Sequence, residues 1–154
     1  MTKKDVPIED LKNYLGKEIS VSDWIEIDQD RVNLFAACTE DPQWIHTDEE
    51  KAKSGPFGGT IVHGLLMVSL VPPYLTDNFI FNLTGVSMFI NYGFNKIRFI
   101  APVKVGSRIR IRFVPTEFQE KGNGNYLLNV SCTFEMEGSE KPVCVAEYLA
   151  MFAK

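Results

Sequence analysis

A chain of 154 residues falls in the size range of one folded domain, and 45% apolar with 23% charged residues excludes a disordered chain. A net charge of -4 gives no general attraction to nucleic acid or to an anionic membrane, although local basic strips stay open. The expectation is one domain over residues 1–154, without a nucleic-acid partner.

Met1-Thr2-Lys3-Lys4-Asp5 opens a polar stretch that lacks the apolar run of a secretory signal. The longest apolar stretch, Gly64 to Pro73, is too short to span a bilayer. No membrane association is expected. Val21 to Ile27 reads as a short strand ended by Asp28, which can cap a helix over Gln29–Ala37 with Val32, Phe35 and Ala36 on one face. Cys38 to Ser54 is polar and irregular, apart from a turn of helix at Glu49–Ala52, and Gly55-Pro56-Phe57-Gly58-Gly59 is a loop. Thr60 to Val71 is apolar on every side and ends at Pro72-Pro73, so it reads as a helix buried all round.

The second half reads as strands. Asn91 to Phe99 comes first, and Arg108 to Phe113 then alternates arginine with Ile109, Ile111 and Phe113. Tyr126 to Met136 sets Tyr126, Leu128, Val130, Cys132, Phe134 and Met136 on one face, after a hairpin signal at Asn123-Gly124. Gly138-Ser139 turns the chain into Val143–Phe152, apolar on both faces except for Glu147 and hence an interior strand. A helix followed by four antiparallel strands fits an α+β domain in which a curved sheet wraps a buried central helix, the hotdog arrangement, and an α+β sandwich of another topology fits the same pattern.

Cys38, Cys132 and Cys144 are odd in number and form no metal-ligand cluster, which suits reduced thiols in a cytoplasmic protein. No C-x-x-C, Walker loop, G-x-G-x-x-G or G-x-S-x-G occurs, so nucleotide and serine-hydrolase readings lack support. The two histidines, His46 and His63, flank the glycine-rich loop, and Asp41 lies in the loop before His46. Histidine moves protons near neutral pH, and loops carry reacting groups on a rigid scaffold. The spacing alone also allows Asp41 to be a turn cap and His46 a surface residue, while His63 within an apolar run reads as a buried, hydrogen-bonded core histidine. Gly64 in a buried helix costs about 1 kcal/mol relative to alanine. Close packing against the sheet and close approach of a ligand both explain it; in the second case its amide polarises a carbonyl oxygen. Arg108, Arg110 and Arg112 read as a solvated sheet face, and Lys96 and Arg98 share the ambiguity of a phosphate contact.

Phe35-Ala-Ala-Cys-Thr-Glu-Asp41-Pro-Gln43-Trp44-Ile-His46 resembles the hydratase motif of MaoC-like proteins, whose usual core is T-G-D-x-N-P-I-H, and its D-x-Q-W-I-H form is similar to the nodulation protein N branch. Gly55 to Leu66 resembles the family's loop into the hotdog helix, and Asn91 to Gly106 its next strands. The resemblance runs from about Ile19 to the C-terminus. It implies a homodimeric hotdog, with the site near the subunit interface, that acts as an (R)-specific enoyl-CoA hydratase or 3-hydroxyacyl-CoA dehydratase. His46 is then the base on water, Asp41 the acid at the α-carbon and the Gly64 amide the thioester carbonyl's partner. Gln43, Trp44, Phe57, Gly58 and His63 are expected around the substrate. No metal and no cofactor beyond the substrate's own CoA is implied.

Two positions depart from the pattern. Glu40 replaces the family's glycine, and would be strained if the position needs a positive φ. Gln43-Trp44 replaces Asn-Pro. Hotdog thioesterases usually carry a carboxylate on the central helix, and Thr60–Val71 has none. The other alternative is a non-catalytic acyl-thioester-binding subunit. Leu66, Met67, Leu70 and Tyr74 to Phe81 are candidates for an acyl tunnel, and core packing explains them equally well.

Overall fold

The computed structural model describes residues 2–154, and Met1 of the polar N-terminal stretch lies outside them. Strand β1 (Asp5–Pro7) leads through a 3-10 turn, Ile8–Tyr14, to β2 (Ser20–Val21) and β3 (Ile25–Glu26). The single strand predicted from Val21 to Ile27 is therefore interrupted. Val21 pairs with Arg112 and Ile25 with Ile109, so this segment carries one residue more than its partner, a bulge. Ser22 fills the break, with its hydroxyl accepting the Ile111 amide at 2.9 Å.

Helix α1 (Gln29–Thr39) starts where expected, with the Asp28 carboxylate accepting the Arg31 amide at 2.9 Å. Val32 and Ala36 are buried, and Phe35 packs partly buried against the core. Two short helices follow, α2 (Trp44–Thr47) and α3 (Glu49–Lys53). The second is the predicted turn of helix, whereas the first lies in a stretch read as irregular.

Helix α4 (Gly64–Ser69) is followed by α5 (Val71–Asp77). This corrects the helix expected over Thr60–Val71. Residues 60–63 are not helical, and Ile61 forms an isolated bridge with Lys104. Pro72-Pro73 does not end a helix but occupies the first turn of α5, where a missing N–H loses no intrahelical bond. Nor is burial complete: Leu66, Met67, Val68 and Val71 are inside, while Leu65 is 62% exposed.

Strand β4 (Asn82–Thr84) pairs in parallel with β1. The long strands β5 (Met88–Phe99), β6 (Arg108–Gly122), β7 (Asn125–Met136) and β8 (Cys144–Ala153) form an antiparallel sheet in the order β2-β6-β7-β8-β5, with β3 also on β6. Strand β8 is interior, as its two apolar faces predict. Asn123 and Gly124 turn β6 into β7 with φ of 52° and 75°, both in the left-handed region that a two-residue hairpin needs.

Ile109, Ile111, Phe113, Leu128, Val130, Cys132 and Phe134 point inward and join Leu66, Met67, Val68, Val71 and Leu75 in one core. The sheet thus curves around the helical pair, the hotdog arrangement. The arginines of β6 are paired rather than simply solvated. Arg110 and Arg112 reach Glu135 at 2.5 and 2.9 Å, Arg108 reaches Glu137 at 3.2 Å, and Arg110 lies over the Trp24 ring at 4.6 Å. Among the described residues, no helix is long and apolar enough to cross a membrane.

Candidate active site

Asp41 is placed by the end of α1. Glu40 adopts φ 57°, ψ 34°, the left-handed turn that stops the helix, and the amides of Glu40 and Asp41 both donate to the Ala36 carbonyl. The position where the family has glycine does require positive φ. Glutamate accepts it at a backbone cost of about 1 kcal/mol, and the loop is retained. The Asp41 side chain is more than half exposed.

His46 lies on α2 and is buried. Gln29, the first residue of α1, fixes this turn from the side: its Nε2 donates to the His46 carbonyl at 2.7 Å, and its Oε1 accepts the Thr60 hydroxyl at 2.7 Å. The His46 ring is set by Nδ1, 2.7 Å from the Ile61 carbonyl oxygen. A carbonyl only accepts, so Nδ1 carries the hydrogen and, in the neutral ring, Nε2 holds a free lone pair. Burial pushes the His46 pKa below its usual 6.5, helped by the nearby His63; the bond to Ile61 and the Asp41 charge oppose this.

His63 precedes α4 and is buried against His46, with ring centroids 3.7 Å apart and planes 24° from parallel. Its Nε2 is 3.1 Å from the Asp41 main-chain oxygen and 3.9 Å from the carboxylate, so its hydrogen bond is to the main chain. The buried, hydrogen-bonded histidine expected here is found, but in the site. One donor atom from each of Asp41, His46 and His63 falls within 4.8 Å of the others. Stacked rings direct their in-plane lone pairs along parallel planes, and one nitrogen of each already meets a carbonyl.

A cleft of about 280 Å³ opens beside this group, lined among others by His46, Phe57, Gly64, Met67, Phe99 and Pro102. Gly64 is the first residue of α4, so its amide has no acceptor within the helix. Of the expected catalytic residues His46 and Gly64 line this cleft, and of those expected around the substrate Phe57 does. Gln43 caps α2 through its carbonyl, which accepts the His46 amide at 2.9 Å. Trp44 packs over Gly55, where an added Cβ would stand 2.9 Å from the ring, with Lys51 4.8 Å above it. Gly58 has φ 66°, beside Lys104. Met67 of the acyl-tunnel candidates reaches the cleft, whereas Leu66 belongs to the core.

Gln29, Thr60, Phe99 and the Ile61 carbonyl were not anticipated. A backbone carbonyl leaves no mark in a sequence. Gln29 and Thr60 stand 31 positions apart, and only the fold joins them.

Residues 10–133 match the family model described as MaoC like domain. The chain is 46% identical over 145 residues to 3-hydroxyacyl-thioester dehydratase Z of Mycobacterium tuberculosis, covering 94% of this chain and 95% of that protein. It is 36% identical over 154 residues to nodulation protein N of Rhizobium meliloti, covering 96% and 91%. Among solved structures, a monoamine oxidase regulatory protein from Archaeoglobus superposes with a TM-score of 0.81 at 24% identity, covering 100% of this chain and 99% of that one. The (R)-hydratase of A. caviae involved in PHA biosynthesis gives 0.70 at 23%, covering 88% and 96%. With the aspartate–histidine motif at the mouth of a hotdog helix and relatives matched along nearly their whole length, this chain belongs to the MaoC-like domain family.

Proposed function

We propose that the protein is an (R)-specific hydratase and dehydratase, which adds water to a 2-enoyl thioester or removes it from the 3-hydroxyacyl product. The observation that carries this reading is the 2.7 Å contact between His46 Nδ1 and the Ile61 carbonyl oxygen. With Nδ1 committed to Ile61, Nε2 is an available base beside the cleft, close to a carboxylate and to an unpaired helix-start amide. The 46% identity to a 3-hydroxyacyl-thioester dehydratase supports the same chemistry.

In the hydration direction His46 Nε2 takes a proton from water, and the oxygen bonds to the β-carbon. The double-bond electrons move to the thioester oxygen, where the Gly64 amide stabilises the enolate. His46 passes that proton to the Asp41 carboxylate, which delivers it to the α-carbon, and both groups end in the state in which they began. Dehydration runs through the same steps reversed. The reaction needs no group beyond the substrate's own carrier, for which CoA is the proposed choice. The three unpaired thiols fit a reducing, cytoplasmic setting. A homodimer is proposed because β5 pairs only with β8 among the described strands and exposes Met88, Tyr92 and Phe99, next to exposed Ile100.

The test is hydration of crotonyl-CoA and of a longer 2-enoyl-CoA, followed by loss of enoyl-thioester absorbance. Wild-type turnover that falls by about a hundredfold or more in both Asp41→Asn and His46→Ala fits general acid–base groups. A folded wild type inactive on both substrates returns the chain to a non-catalytic acyl-thioester binder. Thioester hydrolysis is disfavoured by the absence of Asp and Glu from α4.

A further inference from the structure

His63 has no part in the proton transfers above, yet its ring is held on several sides. It is 3% exposed, Phe35 is tilted against it with centroids 5.1 Å apart, and His46 is stacked on it at 3.7 Å. Its Nε2 meets the Asp41 carbonyl at 3.1 Å, so Nε2 carries the hydrogen, and Nδ1 is buried without a partner.

Asp41 needs such a hold. Its carboxylate is exposed, so its place depends on the main chain. The amide is tied to Ala36 and the carbonyl to His63, which together fix the peptide on both sides. The same imidazole that ends this chain of contacts also backs the His46 ring.

Building on the hydratase reading, we propose that His63 is a positioning residue that sets the spacing of the pair: its Nε2–H anchors the Asp41 main chain while its ring backs His46. The anchor is the dominant part, because His46 is already oriented by Ile61 and Gln29, whereas Asp41 has only its amide bond to Ala36 besides His63.

Two substitutions separate anchor from ring. His63→Phe keeps a flat ring and removes the donor; His63→Gln keeps a donor near the Nε2 position and removes the ring. In folded protein, the expected result is a kcat lower by about tenfold or more in His63→Phe with KM within about threefold, since small misplacement of a reacting group costs turnover. His63→Gln should stay within about fivefold of wild type in kcat. The reverse order, with phenylalanine active and glutamine impaired, would assign His63 to packing and overturn the proposal.

A second measurement needs neither variant nor turnover. The chain has two histidines, so 15N-histidine NMR resolves both rings. The proposal requires opposite tautomers, Nδ1–H at one and Nε2–H at the other, in the free protein. Nδ1–H at both rings would remove the Asp41 anchor and overturn the proposal. Wild-type hydration is scored separately, so failure of the hydratase reading and failure of the anchor are distinguishable.

Discussion

The ring of Phe99 occupies the space in which a side chain at residue 64 would begin: a Cβ placed on Gly64 would lie 2.6 Å from it. The glycine therefore has a packing reason, and it also stands at the cleft with its amide free. Phe99 is about half exposed, and the contact is with the far edge of its ring, so the ring can swing away. Gly64→Ala should therefore fold, losing about 1 kcal/mol as overpacking outweighs the gain in helix propensity. Adding Phe99→Ala should recover that loss in urea unfolding. Turnover should remain depressed, because the methyl still stands beside the amide. Full recovery of activity in the double variant would leave packing as the sole reason for the glycine.

Glu40 carries a left-handed backbone that glycine adopts without a side-chain penalty. Glu40→Gly should raise stability by about 0.5–1 kcal/mol, the backbone relief less the added freedom of the unfolded chain. The expected readout is a higher urea midpoint with an unchanged slope, and hydration within about threefold of wild type. A lower midpoint would show that the glutamate side chain supplies support absent from the main-chain geometry.

Much of this architecture was legible because each signal was local and repeated. The alternation of Ile109, Ile111 and Phe113, the left-handed pair Asn123-Gly124 and the Asp28 cap all act through neighbours in sequence, and all appear in the fold. Other features depended on length or on distant partners. The turn of helix at Trp44–Thr47 is too short for periodicity to reveal. Pro72-Pro73 has two meanings, because proline that cannot continue a helix is also favoured at the start of one. In the site, Asp41 and His46 were visible as a motif. The atoms that orient them, the Ile61 carbonyl and the Gln29 amide, arrive from other segments and carry no sequence signal.

Tyr92 on edge strand β5 is 59% exposed, so replacing it disturbs little inside one subunit. The wild type should sediment as a dimer at micromolar concentration. Tyr92→Glu should shift the population toward monomer without changing the circular dichroism spectrum, because charges at an edge oppose pairing. An unaltered dimer would move the interface away from β5.

The three thiols differ sharply in setting. Cys38 is exposed, whereas Cys132 and Cys144 are buried; burial raises both of their pKa values, that of Cys144 to about 11. A thiolate reagent at pH 8 should label one equivalent per folded chain quickly and three after unfolding. Loss of the fast phase in Cys38→Ser would complete the assignment.

His46 links activity and stability to pH in one direction. Its pKa lies below 6.5 in the fold, held down chiefly by burial, while the unfolded chain takes up the proton near that value. The acidic limb of kcat/KM should therefore have its midpoint below 6.5, since the base must be unprotonated in the free enzyme. Just below 6.5 the unfolded state binds more protons than the folded one, so stability falls as pH falls. The His46 contribution is fully present above 6.5 and is lost down to the histidine's own lower pKa, beyond which its slope vanishes. Urea midpoints at pH 7.5 and 5.5 should show this drop in wild type and a smaller one in His46→Gln. An equal drop in both would place the acid sensitivity on other groups, and a kcat/KM limb above 6.5 would contradict the buried-base geometry.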